Sequence, residues 1–254
     1  MPPITAPRDA ARDTGAESFG DLPEWDLSDL YPGMDSPELA ADLDQARAEA
    51  ARFAETHEGG LAALDGDGLA AAITAYEGIE QRLGRVMSYA GLLYAQNTAD
   101  PARAKFMGDM QARVTEITTP LVFFTLELNR LAEAALEARM AESEALARYR
   151  PWLERVRALR PYQLSDELEK FLHDQSVVGA AAWNRLFDET MSSLAFEVEG
   201  EEEPLGLEGT LNLLSDPDRD RRRAGGQALA RVLGENLRLF TLVTNTLAKE
   251  KEIE

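Results

Sequence analysis

His57-Glu58-Gly59-Gly60-Leu61 is the one stretch of this 254-residue sequence that approaches a zinc-binding helix. Two His four residues apart place both imidazoles on one helical face within reach of a single metal, with the intervening Glu beside the metal-bound water. Here Leu61 stands where the second His would be, and Gly59-Gly60 interrupts the helix that would hold the geometry. His57 is better accounted for as a polar residue in the last turn of a helix, facing the negative end of its dipole. The other His, His173, lies in Phe171-Leu172-His173-Asp174-Gln175 and could pair with Glu169 or Asp174. A His beside a carboxylate can carry protons, but such a neighbourhood arises readily by chance. Two His so far apart in the chain do not make a His-rich metal site.

The other candidates are weaker still. The acidic run from Glu199 to Glu203 lacks the alternating oxygen ligands and turn glycine of a calcium loop, and reads as the solvated tip of a hairpin. Arg219, Arg221, Arg222 and Arg223 fall in the first turns of a helix, where positive charge is locally unfavourable. They form either a solvated, self-paired face or a set that meets acidic neighbours such as Asp216, Asp218 or Asp220, or a domain surface. Gly225-Gly226 has neither the following Lys-Ser or Lys-Thr pair nor the preceding strand of a phosphate loop. No Ser stands in a Gly-x-Ser-x-Gly context, and with no Cys there is neither a disulfide framework nor a thiolate. Trp152, Trp183 and Phe187 are expected as core anchors. The expectation is therefore no catalytic, cofactor-binding or metal-ligating residue within this chain.

The elements that carry these residues are helical. Ser36, Pro37 and Glu38 form a helix start, and Leu39, Leu43, Ala46, Ala50 and Phe53 recur at helical spacing before Gly59-Gly60 ends the run. A second stripe extends from about Leu69 to near Asn97. A third begins at Asp100-Pro101 and reaches Leu131, with Pro120 predicting a kink or break near Thr118. Further helices are expected over 142–158, 165–177 and 179–189. From Leu194 to Val198 the period switches to two, which predicts a short β-hairpin around Gly200 to Glu202. A short helix over 207–214 and a last one, started by Asp216-Pro217, complete the pattern. That last helix runs to Glu254 with no Gly, Asn or Pro stop, so the sequence reads as cut in mid-helix. The fold class is thus mainly α: a multi-helix bundle of long antiparallel helices with one small β-hairpin near 194–207.

Composition narrows the partners. Hydrophobic residues make up 44% and charged residues 28%, which is ordinary for a globular protein with a sizeable core. Forty-six acidic residues against 26 basic ones give a formal charge of −20, which disfavours nucleic acid and anionic membranes. Residues 1–21 read as a disordered tail without the apolar core of a signal peptide, and no segment has the unbroken apolar length of a membrane span. A soluble, cytoplasmic protein is expected.

Trp25 to Gly33, reading WDLSDLYPG and running on through Met34-Asp35-Ser36-Pro37-Glu38-Leu39, resembles the opening of the oligoendopeptidase F family, thimet-oligopeptidase-like zinc metallopeptidases. The resemblance continues at Arg160-Pro161-Tyr162-Gln163-Leu164-Ser165 with Glu167 to Lys170, at Gly179 to Phe187, and at Leu213 to Arg219 with Arg222-Arg223-Ala224, covering about residues 22–254. It implies a helical clam-shell in which zinc-bound water attacks a short peptide, the Glu of His-Glu-x-x-His acts as general base, and N-terminal helices wall the channel. Neither the His ligands, the downstream Glu ligand nor the base has a counterpart in this sequence, so no catalytic residue is carried over. Zinc is implied for the parent enzyme and not for this chain. On this reading 1–21 is a tail, 22–190 an N-terminal helical domain, and 191–254 the hairpin and first helices of a truncated peptidase domain. Its partners would be a missing C-terminal catalytic domain and short peptides, and alone it would be inactive. The alternative is a stand-alone acidic helical scaffold that binds peptides or proteins in a groove.

Overall fold

In the computed structural model, residues 25–98 and 100–253 are described, and the tail expected over 1–21 lies outside them. Ser36 Oγ accepts a hydrogen bond from the Leu39 amide at 3.3 Å and Pro37 fills the first turn, so α1 runs over Pro37–His57 and buries the five apolar residues of its stripe. Asp65 caps α2, Gly66–Gln96, by accepting from the Gly68 amide at 2.8 Å. Gly66 has a further role: a Cβ there would stand 2.5 Å from the Arg139 carbonyl oxygen and 2.7 Å from the Ser143 Cβ, so its absence lets later helices press against this end of α2.

Asp100 caps α3, Pro101–Thr118, and the break predicted at Pro120 is present. A single 3₁₀ turn over Thr119–Leu121 separates α3 from α4, Val122–Arg130. Thr118 and Thr119 donate to the carbonyls of Val114 and Thr115, at 2.9 and 2.8 Å, and so occupy acceptors near the break. The end of α4 is held by Arg157, which donates to the Leu128 and Leu131 carbonyls at 2.5 and 2.8 Å.

A helix the sequence did not announce, α5, Glu133–Glu142, comes next, and the one expected over 142–158 is two pieces, α6, Glu144–Ala147, and α7, Arg150–Arg157. Ser143 leaves the helical path because its hydroxyl both accepts from the Leu146 amide at 3.2 Å and donates to Asp67 Oδ1 at 2.6 Å. Pro151 restarts the chain as α7. Next come α8, Asp166–Gln175, and α9, Ala180–Ser193. The last helices are α10, Leu207–Leu213, α11, Arg219–Glu235, and α12, Leu237–Ile253. One terminal helix was expected and two are found. The Asn236 side chain takes the Val232 carbonyl at 3.0 Å and its backbone departs from helical values, which parts α11 from α12.

The expected β-hairpin over 194–207 does not form, and no strand is found among the described residues. What remains is one isolated antiparallel bridge, Phe196 with Leu205, its two hydrogen bonds 2.8 and 2.9 Å long. The register explains why. That bridge would next pair Val198 with Glu203, but the Val198 carbonyl instead accepts from the Glu201 amide at 3.1 Å, in a turn whose Gly200 has φ of 93°. Two residues are left over between turn and bridge, and Pro204 beside them has no amide to extend a ladder.

Two apolar cores result. The larger is built by α1 to α7 around the rings of Phe53, Tyr76, Phe123, Phe124 and Trp152, with Phe53 edge-on to Phe124 at 5.0 Å and Tyr76 4.8 Å from Phe124. The Trp25 to Gly33 strap is anchored to it by Tyr31, which is 1% exposed, while Trp25 is 78% exposed. Tyr31 donates to Asp42 Oδ2 at 2.6 Å, and Arg85 lies 4.6 Å over its ring while donating to the Leu30 carbonyl. The smaller core gathers Phe196, Val198, Leu213 and the inner face of α11. The described helices include none long and apolar enough to cross a membrane.

Candidate functional site

The residues singled out in the sequence are distributed over structural junctions. His57 ends α1 with its ring 4.7 Å from that of Phe53. Glu58 accepts from Lys170 Nζ at 2.9 Å, and the Gly59 and Leu61 amides are both taken by the Glu127 carboxylate, at 2.5 and 3.3 Å. The segment that looked like half a zinc motif therefore fastens α1 to α4 and α8. Gly59, at φ of 77°, supplies the left-handed turn this requires.

His173 pairs with neither of the carboxylates expected for it. Its Nε2 lies 2.8 Å from Thr118 Oγ1, Asp174 accepts from Thr119 Oγ1, and Glu169 turns back to the Leu164 amide at 2.8 Å. Glu80 faces the same junction. Desolvation pushes its carboxyl above the usual carboxylate range, opposed by a hydrogen bond from Tyr76 and by His173. Two of the four arginines at the start of α11 meet acidic neighbours, Arg221 reaching Glu201 at 2.7 Å and Asp216 at 3.0 Å, and Arg223 reaching Asp220 at 3.4 Å, while Arg222 donates to the Asp216 and Pro217 carbonyls. No group of three or more His, Asp or Glu that could hold a metal ion is found among the described residues.

Of the three expected core anchors, only Trp152 enters the core. Trp183 lines a groove, and Phe187 is 42% exposed, packed edge-on to Phe240 at 5.9 Å. The reason is the placement of α8 and α9, neither of which buries a single side chain fully. Polar contacts fasten α8: Asp166 to Arg130, Lys170 to Glu58, His173 to Thr118 and Asp174 to Thr119. Two of its three large apolar side chains point away instead, Leu168 at 51% and Phe171 at 62% exposure, next to exposed Tyr162 and Leu164, while Leu172 is half-buried. An amphipathic helix ordinarily does the reverse. Where α8, α9 and α12 converge, Phe171, Val178, Trp183 and Ile253 line an open groove of about 590 Å³. The α9 end of the groove is fixed by Glu250, whose Oε1 accepts from the Ala180 amide at 2.9 Å across a separation of 70 residues. Periodicity gave no sign of this contact; its one local trace is Gly179, where a Cβ would collide with Glu250 Oε1.

Comparison with known proteins converges on one family. The family model described as Oligopeptidase F matches residues 127–196, which contain α5 to α9 and the groove's Phe171, Val178 and Trp183. Oligopeptidase PepF of Bacillus subtilis (strain 168) is 25% identical over 232 residues, 89% of this chain and 34% of the relative. Group B oligopeptidase PepB of Streptococcus agalactiae serotype III (strain NEM316) is 26% identical over 155 residues, 59% of this chain and 26% of the relative. The chain thus spans about a third or less of the length of these curated relatives. The crystal structure of oligoendopeptidase-F from Enterococcus faecium shares the fold, with a TM-score of 0.73, 20% identity, and coverage of 84% of this chain and 42% of that one. The family match, the curated relatives and the common fold agree: this chain is similar to the N-terminal portion of oligoendopeptidase F proteins.

Proposed function

We propose that this chain is the non-catalytic N-terminal part of a zinc-dependent endopeptidase that cleaves oligopeptides, and that its outward apolar face forms a wall of the substrate channel. The observation that carries this reading is the inverted docking of α8, held by its polar side with Leu168 and Phe171 turned out. Exposed large apolar side chains in one neighbourhood favour burial against a further surface. In the relatives, more chain lies outside the matched length than within it, enough to supply one.

The zinc of this reading does not fit the chain's own donors. His57 is packed on Phe53, His173 is engaged by Thr118, and neither stands among carboxylates in a ligating cluster. The chain's contribution is therefore to position and enclose: α8, α9 and α12 offer apolar surface to peptide side chains and exclude water from one side of the channel. A cytoplasmic location belongs to the same proposal.

The test is reconstitution. The chain is combined with the complementary C-terminal part of Bacillus subtilis oligopeptidase PepF, and co-elution and cleavage of an internally quenched peptide are measured with and without a zinc chelator. Association, with chelator-sensitive cleavage only in the mixture, is the expected result. Cleavage by this chain alone, or one zinc bound per isolated chain, would overturn it.

A further inference from the structure

We infer that the groove between α8, α9 and α12 is a peptide subsite that selects a cationic side chain next to large apolar ones, with Glu250 as the carboxylate that receives the cation. This deepens the channel-wall reading and rests on it for the identity of the ligand as a peptide. Glu250 divides its carboxylate between two tasks. Oε1 caps α9 through the Ala180 amide at 2.9 Å, whereas Oε2 is buried and has no hydrogen-bond partner. A carboxylate oxygen withdrawn from water without a partner is costly, and an arriving ammonium or guanidinium removes that cost by a charge-assisted bond.

The surroundings suit such a ligand. Lys249, which also borders the groove, pairs with Glu252 at 3.0 Å. Phe171, Val178, Trp183 and Ile253 supply apolar wall, and a groove of about 590 Å³ accommodates a few side chains. Gly179 is what allows the carboxylate to reach its place, since a Cβ there would collide with Oε1. The formal charge of −20 adds a long-range attraction for basic peptides over acidic ones.

The experiment uses fluorescence anisotropy on the full chain without any catalytic part. Two fluorescein-labelled pentapeptides are compared, Leu-Phe-Lys-Leu-Ala amide and its counterpart with norleucine for lysine. The native chain is expected to bind the lysine peptide about tenfold more tightly, a preference that shrinks with added salt. Glu250→Gln keeps an oxygen for the Ala180 amide and is expected to bind both peptides alike, with its helical circular dichroism unchanged. Gly179→Ala, which displaces the carboxylate by sterics alone, is expected to lose the preference as well. Equal binding of the two peptides by the native chain, a preference that survives Glu250→Gln, or no saturable binding overturns the inference. Failed reconstitution with a retained lysine preference would count against the channel wall alone, and the reverse pattern against Glu250 alone.

Discussion

Glu80 shows how a single side chain registers the junction on which α8 is seated. Burial raises its carboxyl above the ordinary carboxylate range, with Tyr76 and His173 pulling the other way. The folded chain therefore holds this proton more tightly than the unfolded chain does. Its contribution to stability is largest below the unfolded pKa and falls as pH rises through the window up to the folded value. Glu80→Gln removes the ionisation and keeps an acceptor for Tyr76. The variant is expected to match or exceed the native chain in urea unfolding at about pH 7, an advantage that disappears near pH 4. A destabilisation at pH 7 that vanishes near pH 4 would mean that the carboxylate is needed there as an anion. The same junction explains why His173 was hard to interpret from sequence. Its partners, Thr118 and Glu80, come from α3 and α2, whereas the pattern offered only Glu169 and Asp174 on its own helix.

Helix starts that carry a side-chain cap directly before a proline were readable because their chemistry is local, whereas α11 is capped by Asp218 rather than by the expected Asp216-Pro217, and α5 starts without a side-chain cap. Ser36-Pro37 and Asp100-Pro101 carry cap and proline within two residues, and Pro120 broke α3 from α4 where its ring and missing amide require. Helix stops inside good helix-forming sequence were not readable. Ser143 breaks the path because Asp67 is there to receive its hydroxyl, and Asn236 breaks it by taking the carbonyl of Val232. The hairpin failed on register, which alternation alone does not specify. Gly66 offers a test of how closely the elements fit. Alanine at this position gains up to about 1 kcal/mol in helix propensity. Its Cβ, however, meets the Arg139 carbonyl oxygen at 2.5 Å, and backbone cannot swing aside as a side-chain tip can. Overpacking of this kind costs about 1–3 kcal/mol and outweighs the gain, so Gly66→Ala is expected to lower the urea midpoint without changing the slope. An unchanged or raised midpoint would show that α5 and α6 yield more easily than their contacts imply.

The distribution of apolar surface over the molecule ties the two proposals together while keeping them separable. The core formed by α1 to α7 closes on itself, with Phe124 and Leu128 fully buried, so nothing in it requires a partner. Beyond Leu153 the balance changes: Tyr162, Leu168, Phe171 and Val178 are 78%, 51%, 62% and 71% exposed on segments that polar contacts hold in place. If that exposure serves an interface, charge placed on it spares the fold and harms association. Tyr162 and Leu168 are the residues to change, because they stand outside the groove that Glu250 borders. Tyr162→Glu with Leu168→Glu is expected to leave the thermal midpoint within a degree or two, since exposed substitutions are usually worth less than about 0.5 kcal/mol each. The same pair is expected to weaken co-elution with the catalytic part at least tenfold, about 1.4 kcal/mol, because two unpaired carboxylates would be buried at the contact. Binding of the lysine pentapeptide, measured on the chain alone, should be unaffected. Undiminished co-elution would assign this exposed face to a role other than contact with a catalytic domain, and a collapse of the thermal midpoint would show that α8 depends on its apolar side after all.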